Sequence, residues 1–136
     1  MHQDPDALKT AAADLLRQIE DQNQPLTPKA RMAIPPQAMP SQDPAVRRGN
    51  MNEVALGYSA EQARLEAMRC LQCKNAPCVA GCPVGIRIPD FLKAAAAGRF
   101  DEAVAIIREN SLLPAVCGRV CPQEVQCQAP CTLGKA

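Results

Sequence analysis

The chain is 136 residues long, which leaves room for one modest domain and an extended arm. Its 15 basic and 14 acidic residues are scattered without runs and give a formal net charge of +1, which excludes the charged surface of a nucleic-acid or membrane-surface binder. Leu, Ile, Val and Phe supply only 27 residues, and so small a core usually needs a metal or a disulfide to stabilise it.

The N-terminal residues carry no secretory signal, and the sequence contains no apolar run of membrane-spanning length. We therefore expect a cytoplasmic protein. Structural disulfides are rare in that reducing compartment, so a metal is the expected source of stability.

The first predicted element is a helix over Pro5–Asp21, because Asp4 can cap it and Pro5 suits its first position. Its apolar residues recur at helical spacing and predict a face packed on a neighbouring helix or subunit. They are Leu8, Ala11, Ala12, Leu15 and Ile19. We assign residues 1–23 to this N-terminal helical unit.

A proline-rich arm follows, over residues 24–52. Six prolines between Gln24 and Pro44 predict an extended segment without regular helix. Two interpretations are open, namely a flexible arm or one that lays Ile34, Met39 and Val46 along a partner.

The remainder, residues 53–136, is predicted to be helical. Ser59 and Gln62 form a capping box, so a helix starts there and carries its small apolar residues on one face as far as Cys70. No strand-like alternation of any length appears, and the fold class predicted is all-α. The inward face is Ala60, Ala63, Ala67, Cys70 and Leu71, and the later helices are Asp90–Ala97, Phe100–Glu109 and a short turn from Pro114.

All eight cysteines lie between Cys70 and Cys131, in two runs of four that each contain a Cys-x3-Cys-Pro step. Four soft thiolates that converge from a tight turn and a remote position are what a 4Fe-4S cluster needs. The pattern predicts two clusters, with Cys70, Cys73 and Cys78 on the first and Cys82 crossing to the second, while the second run sends one thiol back. The second run is Cys117, Cys121, Cys127 and Cys131.

Zinc is the main alternative, because two four-cysteine zinc sites also use eight thiols. Only Cys70 and Cys73 have the Cys-x2-Cys spacing of a zinc knuckle, and the sole histidine is the remote His2. A disulfide framework and redox-sensing thiols without metal are further alternatives. A catalytic thiol is disfavoured because no histidine lies near the cysteines in the sequence to activate one.

Cations and glycines surround the cysteines in the sequence. Cations near a cluster raise its reduction potential, although each of these could equally be an ordinary surface charge. Glycines allow the backbone to approach a cluster closely. The cations are Arg69, Lys74, Arg87 and Arg119, and the glycines are Gly81, Gly85 and Gly118.

Several segments, in order, resemble the N-terminal cluster domain of the small (beta) subunit of NADPH-dependent glutamate synthase and the N-terminal region of dihydropyrimidine dehydrogenase. The similarity covers about Ile34 to Leu133. The segments are Gln42-Asp-Pro, Glu53-Val-Ala-Leu-Gly-Tyr-Ser, Arg69-Cys-Leu-Gln-Cys, Pro77-Cys-Val-Ala-Gly-Cys-Pro, Ile88-Pro-Asp-Phe-Leu and Cys117-Gly-Arg-Val-Cys-Pro-Gln.

The resemblance implies an α-helical ferredoxin-like domain wrapped around two 4Fe-4S clusters, which passes electrons between a flavin site and a redox partner. It implies that Cys70, Cys73, Cys78 and Cys131 bind the first cluster. By the same resemblance Cys82, Cys121 and Cys127 bind the second, whose fourth ligand in the family is a Glu or Gln beyond the last cysteine. The sequence ends before such a residue, which makes Cys117 the nearest substitute unless a partner or water completes the site.

The chain lacks the Gly-x-Gly-x-x-Gly loop of the flavin and nicotinamide domain that follows in the family. FAD and NADPH are therefore expected only on a partner or on a domain outside this sequence, and this chain alone cannot oxidise NADPH. The prediction is an electron-transfer module that works between an NAD(P)H-dependent flavoprotein and a redox partner, with a glutamate-synthase large subunit as a candidate.

Overall fold

The computed structural model describes residues 4–135, which excludes His2. Within that range the elements are helical, without a strand, and the all-α prediction is confirmed; an isolated bridge joins Ser41 and Ala55. None of these helices is long and apolar enough to cross a membrane. The helices are α1 (Pro5–Asp21), α2 (Pro28–Ala33), α3 (Pro44–Arg47), α4 (Ala60–Arg69), α5 (Pro77–Ala80), α6 (Ile88–Ala96), α7 (Phe100–Arg108) and α8 (Pro114–Val120), followed by 3₁₀ turns at Gln123–Val125 and Leu133–Lys135.

Helix α1 has the predicted bounds. The Asp4 carboxylate accepts a hydrogen bond from the backbone N–H of Asp6 (3.1 Å), and Pro5 takes the first position. Its buried face differs slightly from the prediction, because Ala12 and Leu16 point inward whereas Ala11 is exposed. The helix is therefore rotated towards Leu16 where it packs on α4.

Helix α4 is the centre of the fold and packs against α1, α2 and α6. Leu65 is fully buried and forms a core with Ala12, Leu16 and Ile34. The predicted inward face is wrong at Ala60, which is exposed. A helix with neighbours on several sides buries a wider arc than a stripe of small residues indicates.

The arm contains two short helices, so the prediction that it lacks regular helix is wrong. Pro28 and Pro44 each begin a helix, after the capping side chains of Thr27 and Asp43. Proline breaks a helix interior but suits its first turn, where no N–H is needed. Ile34 lies in this chain's own core rather than on a partner.

Hydrogen bonds hold the arm along α4. The Gln62 side-chain amide is fully buried and donates to the carbonyl oxygen of Ala38 (3.2 Å), while the Tyr58 hydroxyl donates to that of Gln37 (2.9 Å). Farther along, the N–H of Leu56 donates to the Pro40 carbonyl (2.8 Å). The arm is thus part of the folded unit.

The C-terminal part is sparsely packed. Helices α6 and α7 pack on each other, and α6 also packs on α4; α6 begins at Ile88, slightly before the predicted start. The short helix α5 was not predicted. Between residues 109 and 134 only Ser111 is buried. This region therefore has little apolar core of its own.

Candidate metal centre

The first cysteine run begins where α4 ends. Cys70 is the C-terminal cap of α4, and its backbone leaves the helix with φ −58° and ψ 123°. Cys73 follows in a loop, Cys78 lies in α5, and Cys82 follows Gly81, the residue that caps α5. All four thiols are half-buried. The run therefore presents its thiols from two helix ends and the turn between them.

The loop between Cys70 and Cys78 contains two non-glycine residues in the left-handed region, Gln72 (φ 53°) and Ala76 (φ 34°). Such backbone costs roughly 1–3 kcal/mol per residue and clusters at functional sites. The Gln72 side chain supports the loop, since its amide nitrogen donates to the Pro89 carbonyl oxygen (3.0 Å) and lies 3.5 Å from the Cys70 sulfur.

The second run is carried by α8 and the turns after it. Cys117 lies within α8 and Cys121 caps its end, with the N–H of Cys121 donating to the Cys117 carbonyl (3.0 Å). The hydroxyl of the buried Ser111 lies 3.8 Å from the Cys117 sulfur. Cys127 and Cys131 follow in the 3₁₀ and turn segment, and these thiols are also half-buried.

The two runs meet at Gly81. A Cβ there would stand 2.8 Å from the Gln126 carbonyl oxygen, 2.8 Å from the Pro130 side chain and 3.3 Å from the Cys127 Cα. Only glycine allows this approach. Gly85 has φ +68°, which also favours glycine, whereas a Cβ at Gly118 would meet nothing within 4 Å. Gly81 and Gly85 therefore have steric or conformational reasons to be glycine and Gly118 has none, while close approach to a cluster stays a prediction.

Thiols from both runs are neighbours in a first group. Burial raises the pKa of Cys70, and the proximity of the Cys73 and Cys131 thiols, which disfavours another thiolate, raises it further. Burial likewise raises the pKa of Cys78, and the proximity of the Cys131 and Cys70 thiols adds to this. Cys131 thus joins three of the four thiols of the first run, and the Cys73 sulfur lies 3.8 Å from the Thr132 hydroxyl in the same region.

The other four thiols form a second group. Burial raises the pKa of Cys121, and its neighbours Cys117, Cys82 and Cys127 raise it further. Burial also raises the pKa of Cys127, with added repulsion from Cys82 and Cys131. Each group therefore takes members from both runs, and the groups adjoin at Cys127 and Cys131.

All eight candidate ligands at this site are cysteine thiols. Thiols that repel one another as thiolates are ligands for a cationic centre, and soft thiolates suit iron-sulfur clusters. Within residues 4–135, no three Cys, His, Asp or Glu side chains are grouped as they would be around a single metal ion. Eight half-buried thiols in two groups of four fit two clusters by number and by chemistry.

Carboxylates neutralise three of the four cations that the sequence placed near the thiols, and Lys74 is exposed. The Arg119 guanidinium donates hydrogen bonds to the Glu53 carboxylate and thereby lowers the pKa of Glu53. The pairs are Arg69 with Glu66 (2.8 Å), Arg87 with Asp90 (2.7 Å) and with Glu109 (2.6 Å), and Arg119 with Glu53 (2.6 Å).

Two residues at the site were missed from the sequence, Gln72 and Arg31. The Arg31 guanidinium donates to the carbonyl oxygens of Met68 (2.9 Å) and Cys70 (3.0 Å). Gln72 stands inside the Cys-x2-Cys step, and its place between ligand candidates is a local signal that could have found it. No local signal points to Arg31, which is 39 residues before Cys70.

A helical chain with these eight thiols has the ligand chemistry of an iron-sulfur protein. More particularly, the chain belongs to the family described as dihydropyrimidine dehydrogenase domain II, 4Fe-4S cluster, which matches residues 47–136. This confirms the resemblance found in the sequence.

Named relatives agree with this family. The chain is similar to the glutamate synthase [NADPH] small chain of Azospirillum brasilense (39% identical, over 71% of this chain and 20% of the relative). The same small chain of Escherichia coli strain K12 is 43% identical, over 65% of this chain and 19% of the relative. An NAD-dependent dihydropyrimidine dehydrogenase subunit PreT homolog of Salmonella typhi is 42% identical, over 60% of this chain and 20% of the relative. The chain therefore spans about a fifth of the length of these relatives.

Proposed function

We propose that this chain is an electron-transfer module that holds two 4Fe-4S clusters. The first cluster would be bound by the first group, Cys70, Cys73, Cys78 and Cys131. The second would be bound by Cys82, Cys121 and Cys127, with Cys117 completing the set. The observation that supports this assignment is the mixing of the two runs in each group: in addition to burial, Cys131 raises the pKa of Cys70 and of Cys78, and Cys82 raises the pKa of Cys121 and of Cys127.

In such a module the protein supplies ligands, partial burial and fixed backbone geometry. Cys70 and Cys121 are helix caps, so α4 and α8 would each aim one thiolate at its cluster. Gln72 would hold the first loop, and Gly81 would let the two runs close around both sites. Bound clusters of this kind accept and release single electrons. No acid, base or nucleophile is required of the chain.

The redox partner would be a flavin- and NAD(P)H-binding domain or subunit. The relatives are named as an NADPH glutamate synthase chain and an NAD-dependent dihydropyrimidine dehydrogenase subunit, which supports a nicotinamide-linked electron source. A large subunit like that of glutamate synthase is the proposed acceptor, and the cytoplasm the proposed location. Residues 53–136 would form the iron-sulfur domain, with the 1–23 helix and the 24–52 arm beside it.

Iron and acid-labile sulfide in the anaerobically purified full chain test this function. We expect about eight of each per chain, together with a brown colour that bleaches on reduction. Zinc without iron or sulfide in a colourless protein would contradict the proposal and favour two zinc sites. A content of about four would support one cluster only and reject the second ligand set.

A further inference from the structure

Arg31 connects the arm to the end of α4 that carries the first cysteine. Its Nη1 donates to the carbonyl oxygens of Met68 (2.9 Å) and Cys70 (3.0 Å), and its Nε to that of Leu26 (3.3 Å). The side chain is half-buried. One guanidinium therefore fixes the backbone on both sides of the α4 terminus.

These contacts have a physical reason. The last carbonyl groups of a helix have no partner within it and carry partial negative charge, so a cation there is stabilising. A planar guanidinium can bind several carbonyl oxygens at once, which an ammonium does less well. Because Cys70 is the cap residue, this support acts directly on the backbone of a proposed ligand.

The charge of Arg31 also differs from that of the neighbouring arginines. Arg69, Arg87 and Arg119 each form an ion pair with a carboxylate. Across residues 4–135, the hydrogen bonds of the Arg31 side chain go to backbone carbonyl oxygens and none of its contacts is a salt bridge. Its positive charge is therefore held near Cys70 without a compensating carboxylate.

We propose that Arg31 is a positioning residue for the first cluster and that its uncompensated charge raises the reduction potential of that cluster. This inference rests on the proposed function. Reduction adds one electron and hence one negative charge to the site, while the ligand bonds are retained. A fixed cation stabilises that added charge, which makes reduction more favourable.

The test uses the full chain, purified anaerobically, as wild type and as the variants Arg31→Gln, Arg31→Lys and Arg17→Gln. Arg17 is the matched control, because it lies exposed on α1 and pairs only weakly with Asp14 (3.6 Å). Arg31 lines an open groove of about 390 Å³, so replacing it with a shorter side chain leaves no sealed cavity. Iron content and the midpoint potential of each cluster, from a titration followed by electron paramagnetic resonance, are measured.

We expect Arg31→Gln to lower one midpoint potential, or to lose the iron of one cluster, while Arg17→Gln resembles wild type. Arg31→Lys keeps the charge but binds carbonyl oxygens less well, so it should return the potential towards the wild-type value and restore part of any lost iron. The inference is wrong if Arg31→Gln and Arg17→Gln agree in both measurements, or if Arg31→Lys recovers neither the potential nor any iron. A wild-type chain without iron would instead overturn the proposed function, so the two failures are distinguishable.

Discussion

Small residues, rather than large apolar side chains, determine how closely the two cysteine runs approach each other. Gly81 faces Gln126, Cys127 and Pro130 at distances that a side chain would not permit. The half-buried thiols of both runs lie around this contact. The absence of a side chain at Gly81 therefore allows the two cysteine runs, which are distant in sequence, to lie against each other.

We predict that Gly81→Ala destabilises the protein by about 1–3 kcal/mol, the usual cost of forcing extra volume into a tight contact. Two of the three atoms that the new methyl group would meet belong to backbone, which cannot rotate away. Gly118→Ala is the control, because it adds the same methyl group within α8 where nothing lies within 4 Å. Thermal unfolding and iron content are compared, and equal losses in the two variants would contradict the steric explanation.

Substitution of single cysteines can distinguish the two proposed ligand sets. Cys131→Ser should reduce the iron content from about eight to about four per chain, because serine is a poor ligand for a cluster and Cys131 belongs to the first group. Cys117→Ser should likewise remove or alter only the second cluster. The measurement is iron and sulfide per chain with the paramagnetic signal of the remaining cluster. Full iron and an unchanged signal in Cys117→Ser would show that this thiol is not a ligand.

At the scale of helices, α4 depends on its N-terminal cap for both its start and its attachment to the arm. The Ser59 hydroxyl accepts from the N–H of Gln62 (3.2 Å), and the Gln62 side chain accepts from the N–H of Ser59 (3.1 Å). The same amide donates to the Ala38 carbonyl oxygen in the arm. One buried side chain thus closes the cap and holds a segment 24 residues earlier.

We predict that Ser59→Ala lowers the unfolding free energy by about 1 kcal/mol, the usual effect of losing an N-cap. Gln62→Ala should cost more, roughly 2–3 kcal/mol, because it also leaves the Ala38 carbonyl oxygen of the arm without its partner and opens a space where the buried side chain stood. Denaturant midpoints followed by helical circular dichroism measure both values. The interpretation of Gln62 as a link to the arm fails if the two variants lose the same stability.

Helices whose signals are local were predicted well from the sequence. Asp4 and Pro5 define the start of α1, and Ser59 with Gln62 defines the start of α4. The four-residue helix α5 was missed because it is too short for a periodic pattern. The inward face of α4 was predicted less well, since the neighbours that bury Leu65 come from distant parts of the chain.

At the scale of the whole molecule, the sequence could indicate which residues are candidate ligands but not how the arm contacts the end of α4 that carries one of them. The spacing of the cysteines indicates two runs, and the mixing of the runs follows from chemistry and from the family resemblance. The position of Arg31 depends on the path of the arm across α4, which no local pattern encodes. Periodicity and residue spacing describe local structure and therefore do not predict long-range backbone contacts of this kind.

The N-terminal and C-terminal parts of the molecule differ in what stabilises them. The core residues Ala12, Leu16, Ile34 and Leu65 all lie before the first cysteine, whereas Ser111 is the only buried residue between 109 and 134. Several apolar residues in that later stretch are exposed, among them Leu112 at 94% and Val125 at 72%. Apolar burial therefore stabilises the N-terminal helices, whereas around the second cysteine run the proposed ligand bonds would have to supply the order that a core does not.

We predict that removal of iron by an anaerobic chelator loosens residues 109–134 while α1 and α4 stay folded. Metal binding and folding are coupled where ligands replace a core, but the contact between α1 and α4 involves no thiol. Hydrogen exchange read by mass spectrometry should show much faster exchange in the C-terminal stretch of the iron-free chain and little change in α1. Equal protection of that stretch with and without iron would mean that side-chain packing alone orders it. Uniform loss of protection along the whole chain would mean that the N-terminal helices also depend on the clusters.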